Sequence, residues 1–233
     1  MTAVRAMRHT SDGADPFDLT VIAAERPTCA VLFAAGRGGD PVRHLSLLQA
    51  LAGAGCKVIA PHFDMFSLAP PGRAELEPRL RRLEAAAREH APTGLPLYGV
   101  GHSIGTVCLL VLAGATAHSL AGEAISFSSG VKISRLALFA PPTRFFWPPD
   151  ALQAVRVPVS IRAGADDTVT PPDQAQFLQS RLESHTKACL RIDARAGHFT
   201  YMDTLPPNVT DPHPERSGFL EALARETAEF LLN

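Results

Sequence analysis

The sequence predicts an α/β domain in which a mostly parallel, twisted sheet is covered by helices on both faces. Short apolar, β-branched runs alternate along the chain with longer segments of helical period, the pattern that crossover-connected parallel strands produce. The length of 233 residues suits one such domain and would cramp a second. Apolar residues make up 46% and charged residues 19%, enough to bury a large core and too little charge for a disordered chain. A single domain over residues 1–233 is expected, with 1–17 as a peripheral N-terminal segment.

The first strands are expected at Leu19–Ala24 and Cys29–Ala34, followed by the loop Gly36-Arg37-Gly38-Gly39, whose glycines favour irregular backbone. Asp40 is placed to cap a helix with Pro41 at its first position and Val42, Leu45, Leu48 and Leu51 on one apolar face; Gly53 and Gly55 end it. A short strand at Lys57–Ala60 precedes a Pro-rich loop, and helical spacing returns over Pro78–His90 through Leu80, Leu83 and Ala87. Leu95–Gly101 reads as a strand. Ile104–Ala117 reads as a helix apolar nearly all round, so buried on most sides. Further strands are expected at Arg135–Ala140, Val157–Ala163 and Cys189–Asp193. Between them, Thr170 suits a helix cap, Pro171 its first position and Asp173 its third, where the carboxylate opposes the helix dipole favourably. After the loop Leu205–Pro214, Ser217 is placed to cap a last helix carrying Leu220, Leu223, Ala224, Thr227 and Leu231 on one side.

Charge excludes whole classes of partner. Lys plus Arg number 22 against 23 for Asp plus Glu, a net charge of -1, and the arginines never form a run, so neither nucleic acid nor an anionic membrane is attracted broadly. The longest apolar stretch, Val107–Ala113, is far below the roughly 20 residues of a membrane span, and the start has no signal-peptide core. Cys29, Cys56, Cys108 and Cys189 lie in apolar segments without paired spacing, as expected of reduced, buried thiols in a cytoplasmic protein.

The sharpest chemical signal is Gly101-His102-Ser103-Ile104-Gly105, a G-x-S-x-G pattern at the junction of an expected strand and an expected helix. A serine hydroxyl is a weak nucleophile unless it projects free of its neighbours toward a base, and a tight strand-to-helix turn achieves this through a strained backbone. The residues flanking it at a distance of two must then be small, as Gly101 and Gly105 are. The same turn puts the unpaired N–H groups of a helix N-terminus beside the reacting atom, so the Ile104 N–H is expected to hold an oxyanion. A second donor is expected from the loop after the Cys29 strand, where Gly36 allows close approach and the Arg37 N–H is the choice.

A base must lie within reach of the serine. Of the nine histidines, His198 follows the last strand and so emerges at the same sheet edge as Ser103; His62, also after a strand, is its one serious competitor, and His102 is expected to line the pocket. An acid that fixes the imidazole is expected in Gly164-Ala165-Asp166-Asp167, after the penultimate strand, where Asp166 and Asp167 compete and Asp167 is preferred. Phe145, Phe146 and Trp147 either wall a substrate pocket or anchor their own loop. Arg37 and Arg144 read as surface charge more than as partners for a substrate carboxylate.

The order Ser103, Asp167, His198 resembles the α/β-hydrolase superfamily, over nearly the whole chain from the Leu19 strand to the last helix. The compact size and the Gly-Arg-Gly-Gly loop are most similar to small serine esterases and dienelactone-hydrolase-like proteins. The resemblance implies an α/β-hydrolase fold. It also favours Asp167, since members place the acid a few residues before a valine and a proline, here Val169 and Pro171. Two departures stand out: dienelactone hydrolases proper carry cysteine at the position of Ser103, and many esterases carry His-Gly where this chain has Ala35-Gly36. The loop after the Arg135 strand is too short for a large cap. The expected activity is hydrolysis of a small-molecule carboxylic ester, thioester or lactone through an acyl-enzyme, with neither a metal nor an organic cofactor. The rival readings are the same triad acting on a C–C or amide bond or in perhydrolysis, and a non-catalytic binding protein that keeps the fold.

Overall fold

The computed structural model describes residues 4–10, 16–66, 71–211 and 213–233. Strands β1 (Val4–His9), β2 (Phe17–Ile22), β3 (Cys29–Ala34), β4 (Cys56–Pro61) and β5 (Leu97–His102) come first in the main sheet. Two further two-residue strands, β6 (Ala117–His118) and β7 (Ala124–Ile125), form a separate ribbon; β8 (Ile133–Phe139), β9 (Val159–Gly164) and β10 (Ala188–Asp193) complete the main sheet. Its order is β1-β2-β4-β3-β5-β8-β9-β10, with β4 to β10 parallel and β1 and β2 antiparallel at one edge. The helices are α1 (Leu45–Gly53), α2 (Arg73–His90), α3 (Ile104–Leu112), α4 (Pro172–Leu182) and α5 (Arg216–Leu232).

Strand β3 is wholly buried, as are all but one residue of β5, and α3 is buried along all nine of its residues, as an all-round apolar helix must be. The chain leaves β3 toward β4 on one side and returns to β5 on the other, so the sheet order reverses between β3 and β5. A crevice opens beyond the carboxyl ends of strands at such a point. The loops after β3, β5, β9 and β10 all emerge at that edge.

Several elements depart from the sequence reading for identifiable reasons. Val4–His9, expected only as part of a peripheral segment, is an edge strand paired with β2 alone; its residues other than His9 are exposed and give no apolar alternation to read. Asp40 does cap as expected, accepting from the Val42 N–H at 2.9 Å, but the first turn is a 3₁₀ turn over Pro41–His44 that leaves Val42 42% exposed. Helix α2 begins at Arg73, because the Glu75 carboxylate reaches back to the Gly72 N–H at 2.8 Å; Pro78 is carried inside the helix. Helix α3 stops at Leu112 because Gly114 turns left-handed at φ 109, and the expected continuation is instead a turn that leads into the β6–β7 ribbon at Ala117. The N-cap position of α4 is Pro171, one residue after the expected Thr170, and that of α5 is Glu215, two residues before the expected Ser217; neither side chain bonds the first turn.

All four cysteines are free, and Cys29, Cys56 and Cys108 are buried as expected, whereas Cys189 is not. Cys29 and Cys56 are register partners on β3 and β4, with their sulfurs 2.9 Å apart, a pairing that a sequence separation of 27 conceals; Cys189, on the edge strand β10, is exposed. Among the described residues no helix is long and apolar enough to cross a membrane.

Candidate active site

Ser103 sits at the turn from β5 into α3 with φ 53 and ψ -130, a conformation that costs a non-glycine residue about 1–3 kcal/mol and persists only where its surroundings enforce it. Here the enforcement is visible. The Ser103 N–H donates to the Phe139 carbonyl at 2.9 Å, and the Ser103 carbonyl accepts from both the N–H (2.9 Å) and the hydroxyl (2.7 Å) of Thr106. A Cβ on Gly105 would stand 2.1 Å from the Ala34 carbonyl oxygen, and one on Gly101 2.8 Å from Leu109. Only glycine lets α3 begin this close to β3.

The half-buried Ser103 hydroxyl lies 3.0 Å from Nε2 of His198, and Nδ1 of His198 lies 2.9 Å from Oδ2 of Asp167. Asp167 is 3% exposed whereas Asp166 faces solvent, so the two carboxylates that compete in sequence are separated by burial. Oδ1 of Asp167 accepts the N–H groups of Val169 (2.8 Å) and Thr170 (2.7 Å), and Oδ2 lies 2.7 Å from the Thr170 hydroxyl. Burial would raise this carboxyl, but His198 and the Thr170 donors outweigh it and hold the group below the usual carboxylate range. Thr170, read from sequence only as a helix cap, thus sits within hydrogen-bond distance of both Asp167 and His198 Nδ1 (3.0 Å).

The histidine loop is pinned from behind. A Cβ on Gly164 would stand 2.2 Å from the Ala196 carbonyl oxygen, and the Asp166 N–H donates to that oxygen at 2.9 Å, so the acid loop and the histidine loop are packed backbone to backbone. His102, expected to line the pocket, is 2% exposed and instead lies 2.9 Å through Nε2 from the His198 carbonyl. A carbonyl only accepts, so Nε2 of His102 carries the proton. His44 bonds the Tyr201 carbonyl through Nδ1 in the same way, at 2.9 Å. Burial keeps both imidazoles neutral, lowering His102 well below its ordinary value and His44 to about 4. The Tyr201 hydroxyl donates to Asp193 at 2.9 Å, and Asp193 in turn receives Arg162 through two nitrogens at 2.6 and 3.0 Å.

The loop after β3 lies over the serine turn: a Cβ on Gly36 would stand 3.3 Å from both the Ser103 Cβ and His102 Nδ1. A residue that sequence reasoning passed over fixes this loop. Arg79 of α2, 3% exposed, donates to the carbonyls of Gly36 (2.8 Å), Arg37 (2.9 Å) and Asp64 (2.9 Å), with Ala35 at 3.3 Å, and its guanidinium lies 4.0 Å over the Phe66 ring. Burial lowers its pKa to about 10, which leaves it charged at neutral pH. Its only signal in sequence is a basic residue on the apolar side of a helix. Arg37 is exposed and donates through Nε to the Phe66 carbonyl at 3.1 Å.

The aromatic cluster divides. Phe146 is buried in the core at 1% exposure and presents nothing to solvent. Phe145 and Trp147 line a groove of about 720 Å³ together with Arg144, Phe177 and the acid-loop residues Thr168 and Val169. His62, the competing base, bonds the Thr20 hydroxyl at 2.8 Å instead. Residues 140–158, between β8 and β9, hold one short helical turn and no cap domain.

No protein-family model matches the chain, and no curated protein matches it. Solved structures do. A dienelactone hydrolase from Anabaena variabilis is 19% identical with a TM-score of 0.67, over 98% of this chain and 96% of that one. An esterase from Pyrococcus furiosus is 14% identical with a TM-score of 0.70, over 99% and 92%. Esterase 2 of Thermogutta terrifontis, in a structure phosphoramylated by tabun, is 16% identical with a TM-score of 0.66, over 98% and 95%. The shared architecture is the α/β-hydrolase fold, spanning nearly the full length of all three.

Proposed function

We propose that this chain is a serine hydrolase that cleaves small carboxylic esters, thioesters or lactones through an acyl-enzyme. The observation that carries the reading is the unbroken line from the Ser103 hydroxyl through His198 to Asp167, at 3.0 and 2.9 Å. In this reading Nε2 of His198 takes the Ser103 proton as the oxygen attacks the substrate carbonyl, and Asp167, kept ionised by its donors, holds the proton on Nδ1 and stabilises the imidazolium. His198 then protonates the leaving group. It next deprotonates the water that releases the acyl group, returning serine and imidazole to their starting states.

Ile104 opens α3, so its N–H has no partner within the helix and is the first proposed oxyanion donor. The Arg37 N–H is the second. Arg79 supports that role by drawing the carbonyls of the loop toward itself, which fixes the peptide planes on which the opposing N–H groups lie. Fold likeness to esterases and to a dienelactone hydrolase agrees with ester chemistry. The groove bearing Phe145 and Trp147 suits the apolar part of a substrate.

The test is hydrolysis of short activated esters by the purified chain and by Ser103→Ala. Turnover by the parent and its abolition in a variant of unchanged circular dichroism support the reading. Equal turnover by both rejects Ser103, and no turnover by the parent on esters, thioesters or lactones rejects ester hydrolysis.

A further inference from the structure

The edge of the sheet carries a cluster that the proposed reaction does not use. His9 ends β1 and is 3% exposed, although every other residue of that strand is exposed, and its ring stacks on Phe17 with centroids 4.5 Å apart. Neither of its nitrogens has a hydrogen-bond partner among the described residues. From the end of α2, Glu89 brings Oε2 to 3.3 Å from His9 Nδ1 without the alignment of a hydrogen bond. The adjacent His90 presents a buried Nε2, equally unpartnered, with its ring edge-on to His9 at 5.8 Å. One donor atom from each of the three residues lies within 4.8 Å of the other two.

Two imidazole nitrogens and a carboxylate are a donor set suited to zinc and similar borderline-soft ions. Tetrahedral ligands at about 2.1 Å from an ion stand about 3.4 Å from one another, so these donors need to close by no more than about 1.4 Å. Glu89, its side chain 51% exposed, is free to swing inward, and solvent reaches the cluster from its side. His90 is also the last residue of α2, where the partial negative charge of the helix end favours a cation.

We propose that His9, Glu89 and His90 bind a divalent ion of the zinc class, which fastens the edge strand β1 to the C-terminus of α2. Strand β1 pairs with β2 alone, so a second attachment at its end guards an edge that would otherwise fray or pair with another chain. Water supplies the remaining coordination. This site is independent of Ser103 and stands whether or not the chain hydrolyses esters.

The test titrates zinc ion into the untagged, chelator-stripped full chain against a chromophoric competitor near neutral pH. One tight equivalent is expected, weakened by at least about tenfold in Glu89→Gln, in His90→Gln and in His9→Phe, since each removes one of three protein ligands. His9→Phe keeps the stack on Phe17, and the other two positions lie outside the core, so folding is preserved. X-ray absorption of the zinc complex is expected to show imidazole nitrogens at about 2.0–2.1 Å. Tight binding that all three variants retain, or no binding below about millimolar zinc, overturns the proposal.

Discussion

At the scale of single residues, the proposed chemistry depends on groups that hold the reacting atoms still. Arg79 spans several carbonyls with one planar guanidinium, a task a lysine ammonium cannot perform. Arg79→Lys and Arg79→Met are therefore both expected to lower kcat, by up to the roughly 10²–10³-fold that loss of one oxyanion donor costs, while KM moves less. A parallel change in KM alone would mean that the loop binds substrate without serving the transition state. Asp167 makes a second prediction, on stability. Its folded pKa is depressed, so its contribution is present in full above the unfolded value of about 3.9 and is lost as pH falls through the lower folded value. Asp167→Asn is expected to unfold more readily than the parent at pH about 6, with the difference shrinking toward pH about 2. Denaturant titrations at the two pH values read this directly; a gap that widens in acid would contradict the assignment. Asp167 was legible as one of two neighbouring carboxylates, and burial, which sequence does not display, separates it from Asp166.

Among the elements, close backbone approaches do the positioning. Gly105→Ala forces a Cβ to within 2.1 Å of the Ala34 carbonyl, against backbone that cannot yield cheaply, so the variant is expected to lose both stability and any esterase activity. Activity and a denaturation midpoint equal to the parent's would show that α3 can shift without consequence. Behind the histidine loop, Arg162 and Asp193 form a buried ion pair between β9 and β10, and breaking such a pair by Asp193→Ala typically costs about 3–5 kcal/mol, measurable by urea unfolding. Strands with continuous apolar runs, β3 and β5 above all, were readable within two residues of their ends because burial on both faces writes itself into composition. The edge strand β1 and the β6–β7 ribbon were not, since one is exposed and the other is too short to show a period. His102 misled for a related reason: its position beside Ser103 suggested the pocket, yet alternation along β5 turns it inward onto the back of the His198 loop.

For the molecule as a whole, a parallel sheet delivers four loops to one edge, and residues 103, 167 and 198 meet there although they are distant in the chain. That convergence was the part of the site most legible in the sequence, because it follows from strand order and direction alone. The loop-fixing arginine and the Thr170 hydroxyl were not legible, because their roles depend on tertiary contacts that no local spacing encodes. In the proposed reaction Ser103 is made nucleophilic by His198. The most direct test of this activation is intact-protein and peptide mass spectrometry after exposure to a fluorophosphonate. A single adduct is expected on the peptide containing Ser103, formed rapidly by the parent and slowed by orders of magnitude in His198→Gln. Contradiction would come from no adduct, from an adduct elsewhere, or from labelling of Ser103 at the same rate without the imidazole.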